Sequence, residues 1–383
     1  MSTDTGLHEA SRIGERRVED PRYLREQLIT YLGNKRSLLE PIEMAVREVR
    51  THLGGRRLKV LDAFSGSGVI SRMMKSHATM IVANDIEEYA RVISECYLTN
   101  ARGVDWQSLS DAVHQINRRV DETPTTGGFI ERLYAPADDD NVKPGERVFY
   151  TRDNARRLDG YAQVLSALDA RTRALLMGPL LAAASVHANT AGVFKGFYKD
   201  RHTGVGRFGG SGQDALTRIK GRIECSLPVL SEFYADSLVL RTDANSIPAE
   251  HGGFDLAYLD PPYNQHPYGS NYFMLNLLAD YREPASISGV SGIPVNWRRS
   301  KYNVKKASAA ELSELVHALD AKFLLVSFND EGYISPAQMR GILSKVGDVT
   351  EFRTHYNTFR GSRNLDGRSI HVTEHLYLVK KRV

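Results

Sequence analysis

At 383 residues the chain is longer than one typical domain, which predicts a core carrying a large insertion or a second domain. Its 42% hydrophobic and 25% charged residues are those of an ordinary soluble protein, and a formal net charge of +4 is too mildly basic to identify a nucleic-acid partner by itself. Cys96 and Cys225, far apart and outside any CxxC or Cys/His spacing, argue against a disulfide framework or a structural zinc and fit a reducing, cytoplasmic location.

Residues 1–26 mix charges of both signs without the apolar core of a secretory signal, and read as a flexible, solvated arm. From Lys35 to His52 the positions Leu38, Leu39, Ile42, Ala45 and Val46 recur at helical spacing, and Leu58 to Phe64 is an apolar strand running into glycines. A helix through Met73 and Met74, a strand Thr79–Ala83, an acid at Asp85 and a helix from Glu87 to Asn100 complete a β-α-β-α unit, the start of a doubly wound α/β fold. Between 101 and 233 the alternation stops. Helical patterns around Gln107–Val120 and Asp159–His187, joined by Gly- and Asp-rich pieces, predict an inserted, mostly helical domain. Its longest apolar stretch, Ala174 to Val186, is broken by Gly178 and Pro179 and is too short to cross a bilayer, so no membrane partner is expected. The α/β rhythm returns with Ser237–Leu240, Phe254–Leu259, a helix from Ser270 to Tyr281, Lys322–Phe328, and a final pair near Val349–Tyr356 and His371–Val379. The expected core is therefore residues 27–100 and 234–383, split by an insertion at 101–233.

Two motifs carry chemistry. Asp62-Ala63-Phe64-Ser65-Gly66-Ser67-Gly68 follows a strand and opens a helix, so its glycines let backbone come close to a cofactor. The third glycine of a dinucleotide fingerprint is replaced by Ser71, and no phosphate-loop lysine is present. Asp85 ends the next strand, where an acid can accept from both ribose hydroxyls, and the combination suits an adenosyl cofactor lacking phosphates. The alternative for Asp85 is a cap on the helix near Glu87. Asp260-Pro261-Pro262-Tyr263 hangs at the carboxyl end of a buried strand, where open α/β sheets place their chemistry. The prolines delete two amide donors and leave carbonyls free to accept, and the tyrosine offers a flat face. A carboxylate, a bare carbonyl and an aromatic plate suit an exocyclic amine on a flat base; the bland alternative is a proline turn.

With these blocks in hand, the chain resembles the DNA adenine methylase family of N6-adenine DNA methyltransferases. Tyr31-Leu32-Gly33-Asn34-Lys35 resembles its amino-terminal cofactor motif, Asp62 to Gly68 its glycine loop, Asp85 its ribose acid and Asp260 to Tyr263 its catalytic tetrapeptide. Leu325 to Asn329 with Gly332 and Ile334, Arg360 to Asn364, and Glu374 to Leu378 agree with restriction-modification members. Asn34 and Phe328 depart from the commonest pattern, which has glycine and tyrosine there. The resemblance implies a Rossmann-like S-adenosylmethionine-dependent methyltransferase core with an inserted, mostly helical target-recognition domain. It also implies S-adenosylmethionine as methyl donor, held by Tyr31, Lys35, Asp62, Phe64, Gly66, Gly68, Asp85 and Asp260, with Tyr31 packing on it and Lys35 near its carboxylate. Asp243 resembles the acid that meets the cofactor adenine, although an Asp beside Ala-Asn is also a common turn. The target adenine must swing out of the duplex and stack, with Asp260 and the Pro261 carbonyl accepting its amino protons, Pro262 and Tyr263 completing the site, and no metal needed.

A DNA surface is then required. Lys195 to Arg222 carries seven Lys or Arg, including Lys195, Lys199, Arg201 and Arg207, against Asp200 and Asp214, with Phe197, Tyr198 and Phe208 interleaved. A second basic cluster in a loop at 285–310 holds Trp297, Arg298, Arg299, Lys301, Lys305 and Lys306, and Arg360 and Arg363 form a third. The expected partner is double-stranded DNA, bound by a monomer. A cognate restriction endonuclease would act on the same site without physical association. Base methylation in structured RNA and a catalytically silent DNA-binding module are the alternatives.

Overall fold

The computed structural model describes residues 19–210, 215–265, 267–357 and 371–382. Seven strands, β1 (Leu58–Asp62), β2 (Ala78–Asn84), β3 (Asp236–Leu240), β4 (Phe254–Leu259), β5 (Ala321–Asn329), β6 (Gly347–Asn357) and β7 (His371–Lys381), form one sheet in the order β3-β2-β1-β4-β5-β7-β6. The first five run parallel, and β7 lies antiparallel between β5 and β6. All six residues of β4 are buried, as a central strand covered on both faces requires. This is a Rossmann-like α/β architecture.

Register decides where the chemistry can sit. Asp62 lies opposite Ala83 on one side and Tyr258 on the other, Asn84 opposite Leu240, and Leu259 opposite Val326. The carboxyl ends of β1 to β4 therefore share one edge, and strand order reverses between β1 and β4, the crevice where open sheets bind ligands. Asn84 ties that edge together: its Nδ2 donates to the Ala63 and Thr242 carbonyls at 3.0 and 3.1 Å, and its Oδ1 accepts from the Thr242 amide at 3.1 Å.

The opposite edge is held by charge. Asp255, at the start of β4 with a 6% exposed side chain, accepts from Arg56 at 2.7 and 2.5 Å, from the Lys59 amide at 3.0 Å and from Lys322 at 3.0 Å. Burial works against ionisation, but these donors outweigh it and hold the carboxyl down at about 2. Because the folded value lies below the unfolded one, the stabilisation is complete above the unfolded pKa of about 3.9 and is lost as pH falls through about 2. Asp255→Ala should cost about 1–2 kcal/mol at pH 7, discounted for the half-exposed partners, and the difference should shrink towards pH 2 in urea unfolding.

Between Asn100 and Phe233 the described residues form the helices Trp106–Glu122, Phe129–Tyr134, Arg152–Ser166, Ala170–Val186 and Leu216–Lys220, with an isolated antiparallel bridge between Lys199 and Gly206. Proline does not break the apolar stretch as its sequence predicts, since Pro179 lies inside the continuous Ala170–Val186 helix. Pro179 leaves the Leu175 carbonyl without its usual donor, and the Cys96 thiol, 3.4 Å away, supplies one. Gly178 permits that approach, because a Cβ there would lie 2.7 Å from Cys96 Sγ. This helix packs on Glu88–Leu98 through a core cluster that also takes in Tyr272 to Leu275.

The expected arm is corrected over residues 19–26. Pro21–Arg25 is a short helix, and Tyr23 is buried with its hydroxyl donating 2.7 Å to the Tyr97 carbonyl. The Arg72 guanidinium sits 5.6 Å from the Tyr23 ring and 5.7 Å from that of Tyr97. Burial of one tyrosine on a cation outweighs the polar composition of the segment. The helix expected from Ser270 to Tyr281 is likewise two, Tyr268–Asn271 and Phe273–Asp280, and Tyr281 adopts a left-handed φ of 41°.

Candidate active site

The strand ends frame a cleft whose lining includes Tyr31, Phe64, Asp85, Asp243, Asp260 and Pro262, with Glu87, Tyr268, Arg298 and Tyr302 in its walls. Residues distant in sequence thus meet at one place because their strands end there.

The glycine loop is shaped by two left-handed residues, Gly66 (φ 51°) and Gly68 (φ 74°). Asp85 closes the turn ahead of the following helix and also holds the glycine loop. One carboxylate oxygen accepts from the Glu87 amide at 2.9 Å, and the other accepts from the Gly66 amide at 2.9 Å, fixing the loop. Asp62 is fully buried, and Ser71, which stands where a dinucleotide fingerprint has glycine, donates to its Oδ2 at 2.6 Å. Its Oδ1 has no hydrogen-bond partner among the described residues. Burial, with the charges of Asp260 and Asp85 nearby, pushes the Asp62 carboxyl up to about 7. Asp243 lines the cleft and also caps the following turn, accepting from the Asn245 amide at 3.0 Å.

Tyr31 stacks on Tyr268 and Tyr272, each with ring centroids 5.0 Å away and planes within 19°. It abuts the glycine loop, since a Cβ on Gly66 would lie 2.8 Å from the Tyr31 hydroxyl. Lys35 does not face open cleft. Its ammonium, 3% exposed, lies 3.1 Å from Asp260 Oδ1 and 3.0 Å from Glu374 Oε1. Burial opposes its charge, yet the two carboxylates raise its pKa well above the ordinary lysine value.

Asp260 keeps 18% of its side chain exposed at the end of β4. Burial pushes its carboxyl up to about 6, with Lys35 holding it down and Glu374 adding to the rise. Pro261 is buried and Pro262 borders the cleft. Tyr263 sets its ring edge-on to Phe328 at 6.0 Å, and its carbonyl accepts from the Tyr333 amide at 3.0 Å.

Two acids here were given no role by the motifs. Glu87, 3% exposed, accepts from Asn276 Nδ2 at 2.6 Å, and burial beside the Asp85 charge pushes its carboxyl up to about 7. Its sequence signal was weak, one acid among several after a strand. Glu374 had a legible one: it alternates with Leu376 and Leu378 on the buried face of β7, and a charge on such a face needs a partner.

The basic patches are partly redistributed. Lys195, Arg201 and Arg207 are exposed and Lys199 is half-buried around a hairpin in which Asp200 accepts from the His202 and Thr203 amides at 3.0 and 2.9 Å. Lys199 Nζ sits 5.0 Å over the Phe197 ring. Arg218 leaves the patch, donating to the Val186 and Ala188 carbonyls, and Arg222 pairs with Asp121 and Glu224. In the second cluster Arg298 borders the cleft and donates to the Ile86 carbonyl at 3.2 Å, while Arg299 lies 4.8 Å over the Trp297 ring. Lys301 pairs with Glu311 at 3.1 Å. Arg360 and Arg363 lie outside the described residues.

An acid, two prolines and a tyrosine beside a glycine-loop cleft at the switch point define a class. The profile of the D12 class N6 adenine-specific DNA methyltransferases matches residues 31–342, and the chain belongs to that family. It is 27% identical over 362 residues to the Type II methyltransferase M.NlaIII of Neisseria lactamica, covering 92% of this chain and 99% of that protein. The Type II methyltransferase M.CviAII of Paramecium bursaria Chlorella virus 1 is 25% identical over 361 residues, covering 92% and 98%. The modification methylase LlaI of Lactococcus lactis subsp. lactis is 24% identical over 357 residues, 89% of this chain and 53% of that longer protein. No helix among the described residues is long and apolar enough to cross a membrane.

Proposed function

We propose that this enzyme transfers a methyl group from S-adenosylmethionine to the exocyclic amine of adenine in double-stranded DNA, after the base has left the helix. The observation that carries the reading is Asp260 opening onto the same cleft as Asp85, Phe64 and Tyr31. The site fits an adenosyl sulfonium: the left-handed glycines keep the loop free of side chains, Asp85 suits ribose hydroxyls, Asp243 suits an adenine amine, and behind the loop the buried Asp62 keeps one carboxylate oxygen without a hydrogen-bond partner among the described residues. When bound, that cofactor supplies an electrophilic methyl group on a positively charged sulfur.

The chain's own residues do the rest. The adenine amine is a poor nucleophile because its lone pair is delocalised into the ring. Asp260 accepting one N6 proton and the Pro261 carbonyl accepting the other would localise that pair towards the methyl, so preorganised acceptors and in-line positioning supply the acceleration. With a pKa of about 6, Asp260 is ionised at neutral pH and able to accept. Tyr263 gives the extruded base a stacking face worth roughly 1–3 kcal/mol, comparable to the few kcal/mol of unstacking, and phosphate contacts hold the remainder.

Those contacts belong, in this reading, to the insertion at 101–233 as the target-recognition unit and to the 285–310 loop. Replacing Lys199 and Arg201 together with alanine should weaken DNA binding and lower the salt slope by up to about two units, as two phosphate contacts would. Fluorescence anisotropy across a salt series reads both, and an unaltered slope removes the hairpin from the contact surface. The Type II names of the relatives support a restriction-modification role; in this reading a cognate endonuclease recognises the same site independently and the methyltransferase acts as a monomer in the cytoplasm. Expression in methylation-free cells followed by sequencing for modified bases tests the whole reading. N6-methyladenine in one short motif is the expected result, and its absence throughout the genome defeats the proposal.

A further inference from the structure

Glu374 lies in a sequence block set apart by its pattern, yet nothing in methyl transfer as derived above uses it. It is 2% exposed and does not border the cleft. Its Oε1 accepts from Ser327 Oγ at 2.5 Å and lies 3.0 Å from Lys35 Nζ, whose other neighbour is Asp260 Oδ1 at 3.1 Å. One buried ammonium thus bridges the acid at the end of β4 and a second carboxylate on β7, two strands away. Ammonium and adenine amine are both donors, so an amine that takes Oδ1 meets the ammonium at the same oxygen. A lysine with Asp260 as its sole partner would have to be left as a bare buried charge whenever a base took that oxygen.

Building on the methyl-transfer reading, we propose that Glu374 is a positioning residue that lets Lys35 change partners: Lys35 caps Asp260 until the adenine N6 amine arrives, and then remains on Glu374. No covalent bond changes and no proton is transferred; the amine's hydrogen bond to Asp260 replaces the ammonium's ion pair with it. The Ser327 hydroxyl orients the holding oxygen. Glu374→Gln removes the second negative charge while keeping the shape, and so concentrates Lys35 on Asp260.

The test uses the full-length enzyme and a duplex carrying 2-aminopurine at the target adenine of the motif found by sequencing. In Glu374→Gln the emission increase on binding should be largely lost and kcat should fall on the order of 100-fold, with duplex affinity and S-adenosylmethionine affinity kept within about threefold. In a Lys35→Met background the same Glu374→Gln change should have no further effect on emission, because the competing donor is gone. Wild-type emission and kcat in Glu374→Gln, or equal losses in both backgrounds, would overturn the proposal. If Glu374→Gln does not fold, Ser327→Ala must reduce target-base emission in its place, and unchanged emission there is equally decisive. A wild-type enzyme that neither methylates nor brightens the probe would instead defeat the underlying functional reading.

Discussion

Asp260→Ala should lower methyl transfer at least about 1000-fold while leaving DNA affinity within about tenfold. The carboxylate sits at the cleft rather than on the basic hairpin, so its removal deprives the amine of an acceptor without touching the phosphate-contacting candidates. Lys35 keeps Glu374 at 3.0 Å in the variant, which spares the fold an unpaired buried charge. Labelled-methyl incorporation and anisotropy on the same duplex measure the two quantities separately. The wild-type rate should fall as pH drops through about 6, where Asp260 becomes protonated and can no longer accept from the amine. Wild-type turnover in the alanine variant would remove Asp260 from the chemistry.

Gly66→Ala should weaken S-adenosylmethionine binding about 30-fold. Gly66 has φ 51°, where a side chain costs about 1 kcal/mol, and its new Cβ would lie 2.8 to 3.0 Å from three atoms of the Tyr31 ring edge. Tyr31 rests against both Tyr268 and Tyr272, whose ring centroids also lie 6.1 Å from each other, and cannot yield without disturbing both contacts. Strain and displacement together reach about 2 kcal/mol, which is the 30-fold. Titration calorimetry measures the affinity. Gly341→Ala is the control, since that glycine is in the Pro336–Leu343 helix with nothing within 4 Å of an added Cβ. Unchanged cofactor affinity in Gly66→Ala would mean that the loop does not bind the cofactor.

Much of this was legible from residue order. Continuous apolar runs announced β1, β4 and β5 because central parallel strands are covered on both faces, and the glycines after the first run and the acid after the second marked the functional edge. What stayed hidden was side-chain pairing across large sequence separations. Lys35 and Glu374 are 339 positions apart by subtraction, and no local pattern links them. Arg218 and Arg222 counted towards a basic patch until the fold gave them carbonyls and carboxylates. Pro179 looked like a helix breaker because a single sequence cannot reveal that a thiol from another helix satisfies the vacant carbonyl. Tyr23 looked solvated because its neighbours are charged, and its burial depends on Arg72 and Tyr97.

The seam at Gly178 has a consequence for engineering. With Cys96 on one side and Leu175 on the other meeting through a missing side chain, and with Phe273 to Leu275 sharing the same apolar mass, the inserted helices are grafted into the enzyme rather than hung from a hinge. On the proposed reading, new sequence preferences should therefore be sought by changing the exposed hairpin around Lys199–Gly206, because a wholesale exchange of residues 101–233 would import a foreign surface opposite Cys96 and tear the core shared with Glu88–Leu98 and Tyr272–Leu275.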